Sequence, residues 1–227
     1  MRIGILGTSM VGQTLSGKLA ELGYAVMVGT RDVAKTLART EPYSNGRPAF
    51  SVWRKQHPNV KLGTFADAAQ HGQVVINATN GMGSLNALQL AGEANLNGKI
   101  LMDVSNPLDF SKGMPPALSV CNTDSLGEQI QHAFPGAKVV KTLNTVSPLL
   151  MVNPGLVASA EHTIFVCGND AAAKTQVTAW LKDWFGWKDV IDLGDITNAR
   201  GTEMYMPIWM RLRGALGTVM FNVKILK

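Results

Sequence analysis

The chain has 227 residues, 46% of them hydrophobic and 16% charged, a composition that supports a packed core and excludes a disordered chain. Its net charge is +5 and its pI about 9.3, yet Arg47, Arg54, Lys55 and Lys61 are spread through a middle segment and Arg211 and Arg213 sit near the end. With no aromatic–basic stacking motif, this pattern excludes a nucleic-acid partner and fits a modest positive field that attracts a polyanionic cofactor. No run approaches the roughly 20 apolar residues that a bilayer span needs, so no membrane partner is expected. The start, Met1-Arg2-Ile3-Gly4, lacks the form of a signal peptide. Cys121 and Cys167 stand outside any C-x-x-C and read as buried thiols of a cytoplasmic protein.

Strand-like and helix-like runs then alternate along the chain. Arg2 to Leu6 reads as a first strand, and Met10 to Leu22 as a helix stopped at Gly23, where a left-handed cap is usual. Ala25 to Gly29 is a second strand and Val60 to Leu62 a short third, after which Thr64 caps a helix ending near His71. Gln73 to Asn77 and Lys99 to Val104 have unbroken apolar centres, as strands covered on both faces do. Ser125 and Glu128 form a capping box for a helix that Pro135-Gly136 closes. Lys138 to Leu143 and Thr163 to Val166 are strands, Ala171 to Phe185 is a long helix, Val190 to Leu193 a last strand, and Asn198 to Phe221 a closing helical segment. The alternation predicts an α/β fold, a Rossmann-type doubly wound sheet of parallel strands joined by right-handed crossovers. Residues 1–227 read as a single dinucleotide-binding domain with 194–227 as a C-terminal helical extension. Glu41 to Asn59 is a polar insertion, and Asn106 to Asp124 a long loop.

The first turn, Gly7-Thr8-Ser9-Met10-Val11-Gly12, stands where the dinucleotide fingerprint belongs, between a strand and a helix. Gly7 serves the tight turn and Gly12 the close helix–strand packing, while Ser9 replaces the middle glycine. A hydroxyl there suits a phosphate, alongside the free N–H groups of the helix N-terminus. At the end of the second strand an NAD site wants an acid. The chain instead offers Thr30, Arg31 and Lys35, which suit a 2′-phosphate and point to NADP(H). Asp32 either turns toward the ribose or caps the next helix, and its place after Arg31 favours the cap.

Ligands of such sheets bind beyond the carboxyl ends of the strands. Those ends carry Asn77, Ala78, Thr79 and Asn80, then Ser105, Asn106 and Pro107, then Leu143 and Asn144. These residues can position a nicotinamide but include no obvious acid or base. His57, His71, His132 and His162 lie elsewhere and read as surface or interface residues, and Asp103 and Asp109 as solvated or capping carboxylates.

The opening turn, Gly29-Thr30-Arg31 with Lys35, Lys141-Thr-Leu-Asn-Thr145, and Gly194-Asp-Ile-Thr-Asn-Ala-Arg200 with Glu203 and Pro207 together resemble one family. It comprises the NADPH-dependent reductases of the deazaflavin coenzyme F(420), their bacterial relatives, and the reductase domain of membrane metalloreductases. The resemblance implies a Rossmann domain with a small C-terminal helical part, usually dimeric, that transfers hydride directly. It implies cofactor contacts from Thr8 to Val11, at Thr30, Arg31 and Lys35, around Thr79, Asn80, Leu143 and Asn144, and near Met204. Asn144 and the insertion depart from the deazaflavin enzymes, so the resemblance carries the cofactor better than the acceptor.

Hydride transfer to a flavin-like ring needs positioning more than a proton donor. The expected function is therefore NADP(H)-dependent reduction of a flavin or deazaflavin co-substrate, a small-molecule electron acceptor. Reduction of a small carbonyl or imine, and a non-catalytic NADP(H) sensor, remain as alternatives. The apolar 205–221 segment is expected to pair two copies as a homodimer and to help wall the acceptor site.

Overall fold

The computed structural model describes residues 1–43 and 46–226. Five short strands, β1 (Arg2–Leu6), β2 (Ala25–Thr30), β3 (Lys61–Thr64), β4 (Val74–Asn77) and β5 (Ile100–Asp103), line up in parallel. The pair β6 (Leu108–Asp109) and β7 (Ala117–Leu118) forms a separate small hairpin. β8 (Lys138–Thr142), β9 (Thr163–Cys167) and β10 (Asp189–Asp192) complete an eight-stranded sheet in the order β10-β9-β8-β5-β4-β1-β2-β3. The order reverses direction from β1, the feature that opens a ligand crevice in doubly wound folds.

Helices cover both faces, and β4 shows how. Val74 and Ile76 pack with Leu15 and Leu19 of α1 (Met10–Glu21), whereas Val75 faces Ala68 and Leu88. Ala68 belongs to α4 (Phe65–His71), which follows α2 (Val33–Ala38) and α3 (Phe50–Lys55), and Leu88 belongs to α5 (Gly81–Ala91). Thr64 and Asp67 close a reciprocal capping box on α4. The helix lies so close to the sheet that a Cβ on Gly4 would meet the Ala68 carbonyl oxygen. α6 (Glu93–Leu96), α7 (Leu126–Ala133), α8 (Pro148–Val152), α9 (Ala171–Trp180), α10 (Ala199–Met204) and α11 (Met206–Leu216) follow.

Six expectations are corrected. β9 runs antiparallel to β8, with Lys141 opposite Cys167, because 143–162 holds only α8 and two 3-10 turns and makes no crossover. The insertion contains α3, which buries Phe50, and the long loop contains the β6–β7 hairpin. The long helix narrows to α9 and continues as a wider π turn over Leu181–Phe185. The closing helix breaks at Tyr205, with Pro207 in the first turn of α11, and stops at Gly217 in the left-handed region. Beyond it the tail runs beside β9, where Thr163 N donates to Val223 O at 2.9 Å. Ser125 does cap α7, but Glu128 turns its carboxylate to the Ser125 hydroxyl and to Arg200, leaving the box half made.

Three side chains also differ from expectation. His162 is buried, bonded to Pro154 O and Asn222, and Cys121 is exposed while Cys167 is buried. Asp103 is neither solvated nor a cap. It is fully buried and pairs with Lys141 Nζ at 2.8 Å, and Glu203 holds the same amine at 2.7 Å. Burial alone would draw the Lys141 ammonium down, but Asp103 and then Glu203 more than offset it and hold the amine above its ordinary value. Glu203 also accepts from Leu126 N and Gly127 N, the first amides of α7, where a carboxylate is favoured by the helix dipole. Removing one member of a buried ion pair leaves an uncompensated charge, at about 3–5 kcal/mol. Glu203→Ala should lose stability on that order in urea unfolding, and Glu203→Gln, which keeps an acceptor for the α7 amides, should lose clearly less.

Candidate functional site

The β1–α1 turn is built from steric necessity. Gly7 sits at φ +115°, a conformation L side chains rarely adopt, and its N–H donates to Gly29 O at 3.0 Å. At Gly12 an added Cβ would lie 2.0 Å from Gly7 O, so only glycine lets α1 start this close to β1. Ser9 is the N-cap residue of α1, but its side chain caps no amide. Its hydroxyl is exposed to the turn and reaches only Ala78 O, at 3.4 Å. The first-turn amides of α1, including those of Met10 and Val11, thus face outward with no intrahelical acceptor, and Gln13 Nε2 pins the loop by donating to Thr8 O at 3.0 Å.

At the end of β2 a cavity of about 620 Å³ is lined by Thr8, Thr30, Arg31, Lys35, Arg39 and Tyr43 among others. Asp32 caps α2, accepting from Lys35 N at 2.8 Å, so its carboxylate is engaged while Arg31 and Lys35 stand exposed. Thr30 shares a 2.8 Å hydrogen bond with the Thr36 hydroxyl. Arg39, which the sequence did not single out, lies 4.2 Å over the Tyr43 ring.

On the other side of the turn, a cavity of about 610 Å³ opens over the carboxyl ends of β4, β5 and β8. Ser9, Met10 and Val11 line it at the turn, and Ala78, Thr79, Asn80, Ser105, Asn106 and Asn144 at the strand ends. Asn106 and Asn144 hold each other through two hydrogen bonds, Nδ2 to Asn144 O at 2.7 Å and Asn144 Nδ2 to Asn106 Oδ1 at 2.9 Å. Leu143 is buried beneath them at φ +59°, a left-handed turn that swings Asn144 toward the cavity. Pro107 is buried and accepts from Ser119 N. Met204 is exposed and is not among the lining residues, whereas Met206, Trp209 and Met210 of the following helix are.

Sequence reading missed the support beneath this floor. Asp103 Oδ1 accepts from Asn77 Nδ2 at 2.8 Å and from the Ser105 hydroxyl at 2.7 Å. Asn77 Oδ1 accepts from the Thr79 hydroxyl at 2.6 Å, and Lys141 Nζ donates to Ser105 O at 2.7 Å. The buried charges therefore fix the rotamers of two strand ends. A lysine after Val139-Val140 in a central strand was the available signal, since such an amine must find buried acceptors. Tyr205 is partly buried, which raises its pKa. Neither Tyr205 nor His57 is among the lining residues of the 610 Å³ cavity.

A model of the family NADP oxidoreductase, coenzyme F(420)-dependent, matches residues 2–107. Metalloreductase STEAP3 of Rattus norvegicus is 26% identical over 214 residues, 92% of this chain and 38% of that protein, so the chain spans well under half of that relative's length. The F(420)-dependent NADP reductase of Methanothermobacter marburgensis is 24% identical, with 93% of this chain and 92% of that protein covered. A solved structure named as a candidate F(420)-dependent NADP-reductase of Arthrobacter sp. FB24 is 58% identical, with a TM-score of 0.95 and 99% of both chains covered. An imine reductase of Myxococcus stipitatus has a TM-score of 0.60 at 16% identity, covering 95% of this chain and 63% of that one, and shares the fold alone.

Gly12→Ala should push α1 away from Gly7 and misdirect the first-turn amides. A folded Gly12→Ala protein is expected to lose at least about tenfold in NADPH affinity by fluorescence titration, since displaced charge-assisted hydrogen bonds are worth that much.

Proposed function

The chain belongs to the coenzyme F(420)-dependent NADP oxidoreductase family, and we propose that it transfers hydride between NADP(H) and a flavin-like or deazaflavin acceptor. One observation carries the choice of acceptor. The 610 Å³ cavity has amides, hydroxyls and apolar side chains, and its charged groups are Arg47 and Arg213. Among the described lining residues there is no carboxylate, histidine, tyrosine, lysine or cysteine. Arginine stays protonated, so no side chain there is suited to proton transfer. Carbonyl or imine reduction wants a positioned proton donor. Hydride passing between two flat rings wants them held about 3–3.5 Å apart, which an apolar slot provides.

In this reading the 2′-phosphate lies in the 620 Å³ cavity against Thr30, Arg31 and Lys35. The pyrophosphate meets Thr8, Ser9, Met10 and Val11 at the N-terminus of α1, over the turn that Gly7 and Gly12 close. The nicotinamide rests on Ala78, Thr79, Asn80, Ser105, Asn106 and Asn144, shaped by Pro107 and Leu143. When bound, the nicotinamide supplies the hydride, and the chain's residues orient it and keep water out. Residues 194–227 extend the cofactor domain, with Met206, Trp209 and Met210 forming the acceptor wall and Met204 flanking it. The proposal includes a cytoplasmic location. It also includes a homodimer through α11, whose Ile208 and Leu216 are exposed apolar groups. No helix among the described residues is long and apolar enough to cross a membrane.

Three measurements test these points. NADPH oxidation, followed by absorbance with deazaflavins, flavins, quinones and small carbonyls, should proceed with the flat heterocycles, and turnover confined to carbonyls would overturn the acceptor assignment. Arg31→Ala should weaken NADPH binding about ten- to a hundredfold, the worth of a charge-assisted contact, and leave NADH nearly unchanged; equal losses would remove the 2′-phosphate assignment. Light scattering at micromolar concentration should give twice the chain mass, and Ile208→Asp should shift it to the monomer.

A further inference from the structure

The segment between α2 and β3 is firmly anchored at one end. Phe50 is buried in the core that includes Leu15 of α1. Trp53 stacks on His57 with ring centroids 4.0 Å apart. Both rings lie against α1 at Gly17, where an added Cβ would meet each at 3.4 Å. His57 Nδ1 bonds to Trp53 O at 3.0 Å, Arg54 Nε donates to Val60 O at 3.2 Å, and the Ser51 hydroxyl donates to Arg39 O. The foot of the segment is thus fixed to the helix whose N-terminus opens the candidate cofactor turn.

The upper part of the segment serves both cavities. Arg39 and Tyr43 line the 620 Å³ cavity at the end of β2, and Arg47 lines the 610 Å³ cavity over the strand ends. Tyr43 N donates to Arg47 O and Gly46 N to Tyr43 O, both at 2.8 Å, so the backbone of Arg47 is tied to that of Tyr43. Thr8 lines the first cavity, and Ser9, Met10 and Val11 line the second. Described residues of the segment therefore reach both cavities that flank the β1–α1 turn, the turn to which the NADP(H) reading assigns the pyrophosphate.

We propose that Arg47 is a pyrophosphate-binding residue, which faces the α1 N-terminus across the bound dinucleotide so that the two phosphates are held from both sides. The proposal rests on the NADP(H) reading above and adds a contact to it. A guanidinium suits the task because it offers several donors in one plane to phosphate oxygens. Burial draws the Arg47 pKa below its usual value, and a cation partly removed from water gains more from an adjacent anion. The pyrophosphate is common to NADP(H) and NAD(H), unlike the 2′-phosphate, so the role leaves a mark that differs from that of Arg31.

The test is a fluorescence titration of NADPH and of NADH against wild type, Arg47→Ala, Arg47→Lys and Arg31→Ala, each first checked for an unchanged thermal unfolding transition. Arg47→Ala should weaken both nucleotides alike, by about tenfold, the loss of one charge-assisted contact, and Arg47→Lys should recover part of it. Arg31→Ala should weaken NADPH alone. Unchanged affinities in both Arg47 variants would overturn the proposal, as would a loss confined to NADPH, which would move Arg47 to the 2′-phosphate. An unchanged nucleotide affinity with a raised KM for a 5-deazariboflavin acceptor would also overturn it, placing Arg47 on the acceptor. Wild type that binds neither nucleotide would defeat the NADP(H) reading itself, and the Arg47 role with it.

Discussion

Lys141 enters the centre of the sheet with its charge intact, and much of the surrounding structure is arranged around that amine. Its three protons go to Asp103, Ser105 O and Glu203, so none is left unsatisfied in a medium where an isolated charge is very costly. Each carboxylate is in turn committed elsewhere, Asp103 to Asn77 and Ser105, and Glu203 to the first amides of α7. The network joins β4, β5 and β8 to α10, which leads directly into α11. The strand-end floor of the apolar cavity and the helix that walls it are therefore referenced to the same buried charge. A partly satisfied network of this kind would be worse than an apolar core, which makes its completeness a strong constraint on the whole carboxyl edge.

Above that edge the chemistry is laid out by position. Exposed cations stand at the end of β2, uncapped amides at the start of α1, and a slot of amides, hydroxyls and apolar groups over β4, β5 and β8. This sequence of cationic, amide-rich and apolar regions matches the 2′-phosphate, pyrophosphate and nicotinamide of NADP(H) taken in order. Trp209 is braced from behind by Phe221 of the tail, centroids 5.4 Å apart, and the tail is tied to β9 through Asn222 and Thr163. The proposed acceptor wall is thus held both by its own helix and by the tail that follows it.

Local features were legible in the sequence because their causes are local. Gly7 and Gly12 between a strand and a helix, Asp32 three residues before an amide it caps, and Thr64 before α4 each depend on neighbours a few positions away. The strands β1, β4 and β5 announced themselves as apolar runs buried on both faces. The direction of β9 did not, since a buried strand carries the same pattern whichever way it runs, and only the connection through α8 decides it. Asp103, Lys141 and Glu203 lie far apart in the chain, so nothing adjacent to Asp103 names the cation that pairs with it. The break at Tyr205 did have a local signal, since proline suits a helix's first turn and Pro207 marks a second helix beginning rather than one helix continuing. In the insertion, Phe50 is one buried side chain within a polar stretch, and its anchoring role is visible only against α1.

The central claim is that hydride passes directly from NADP(H) to a flat acceptor seated in the apolar cavity. A 5-deazaflavin keeps the transferred hydrogen on carbon, where it does not exchange with water. Single turnover of 5-deazariboflavin with NADPH deuterated at the transferring C4 position, read by mass spectrometry of the reduced product, tests the claim most directly. The account predicts one deuterium retained in the product, from one face of the nicotinamide and in ordinary water. Reduced deazaflavin that carries solvent hydrogen instead, or NADPH that binds without reducing any flat acceptor, would contradict it.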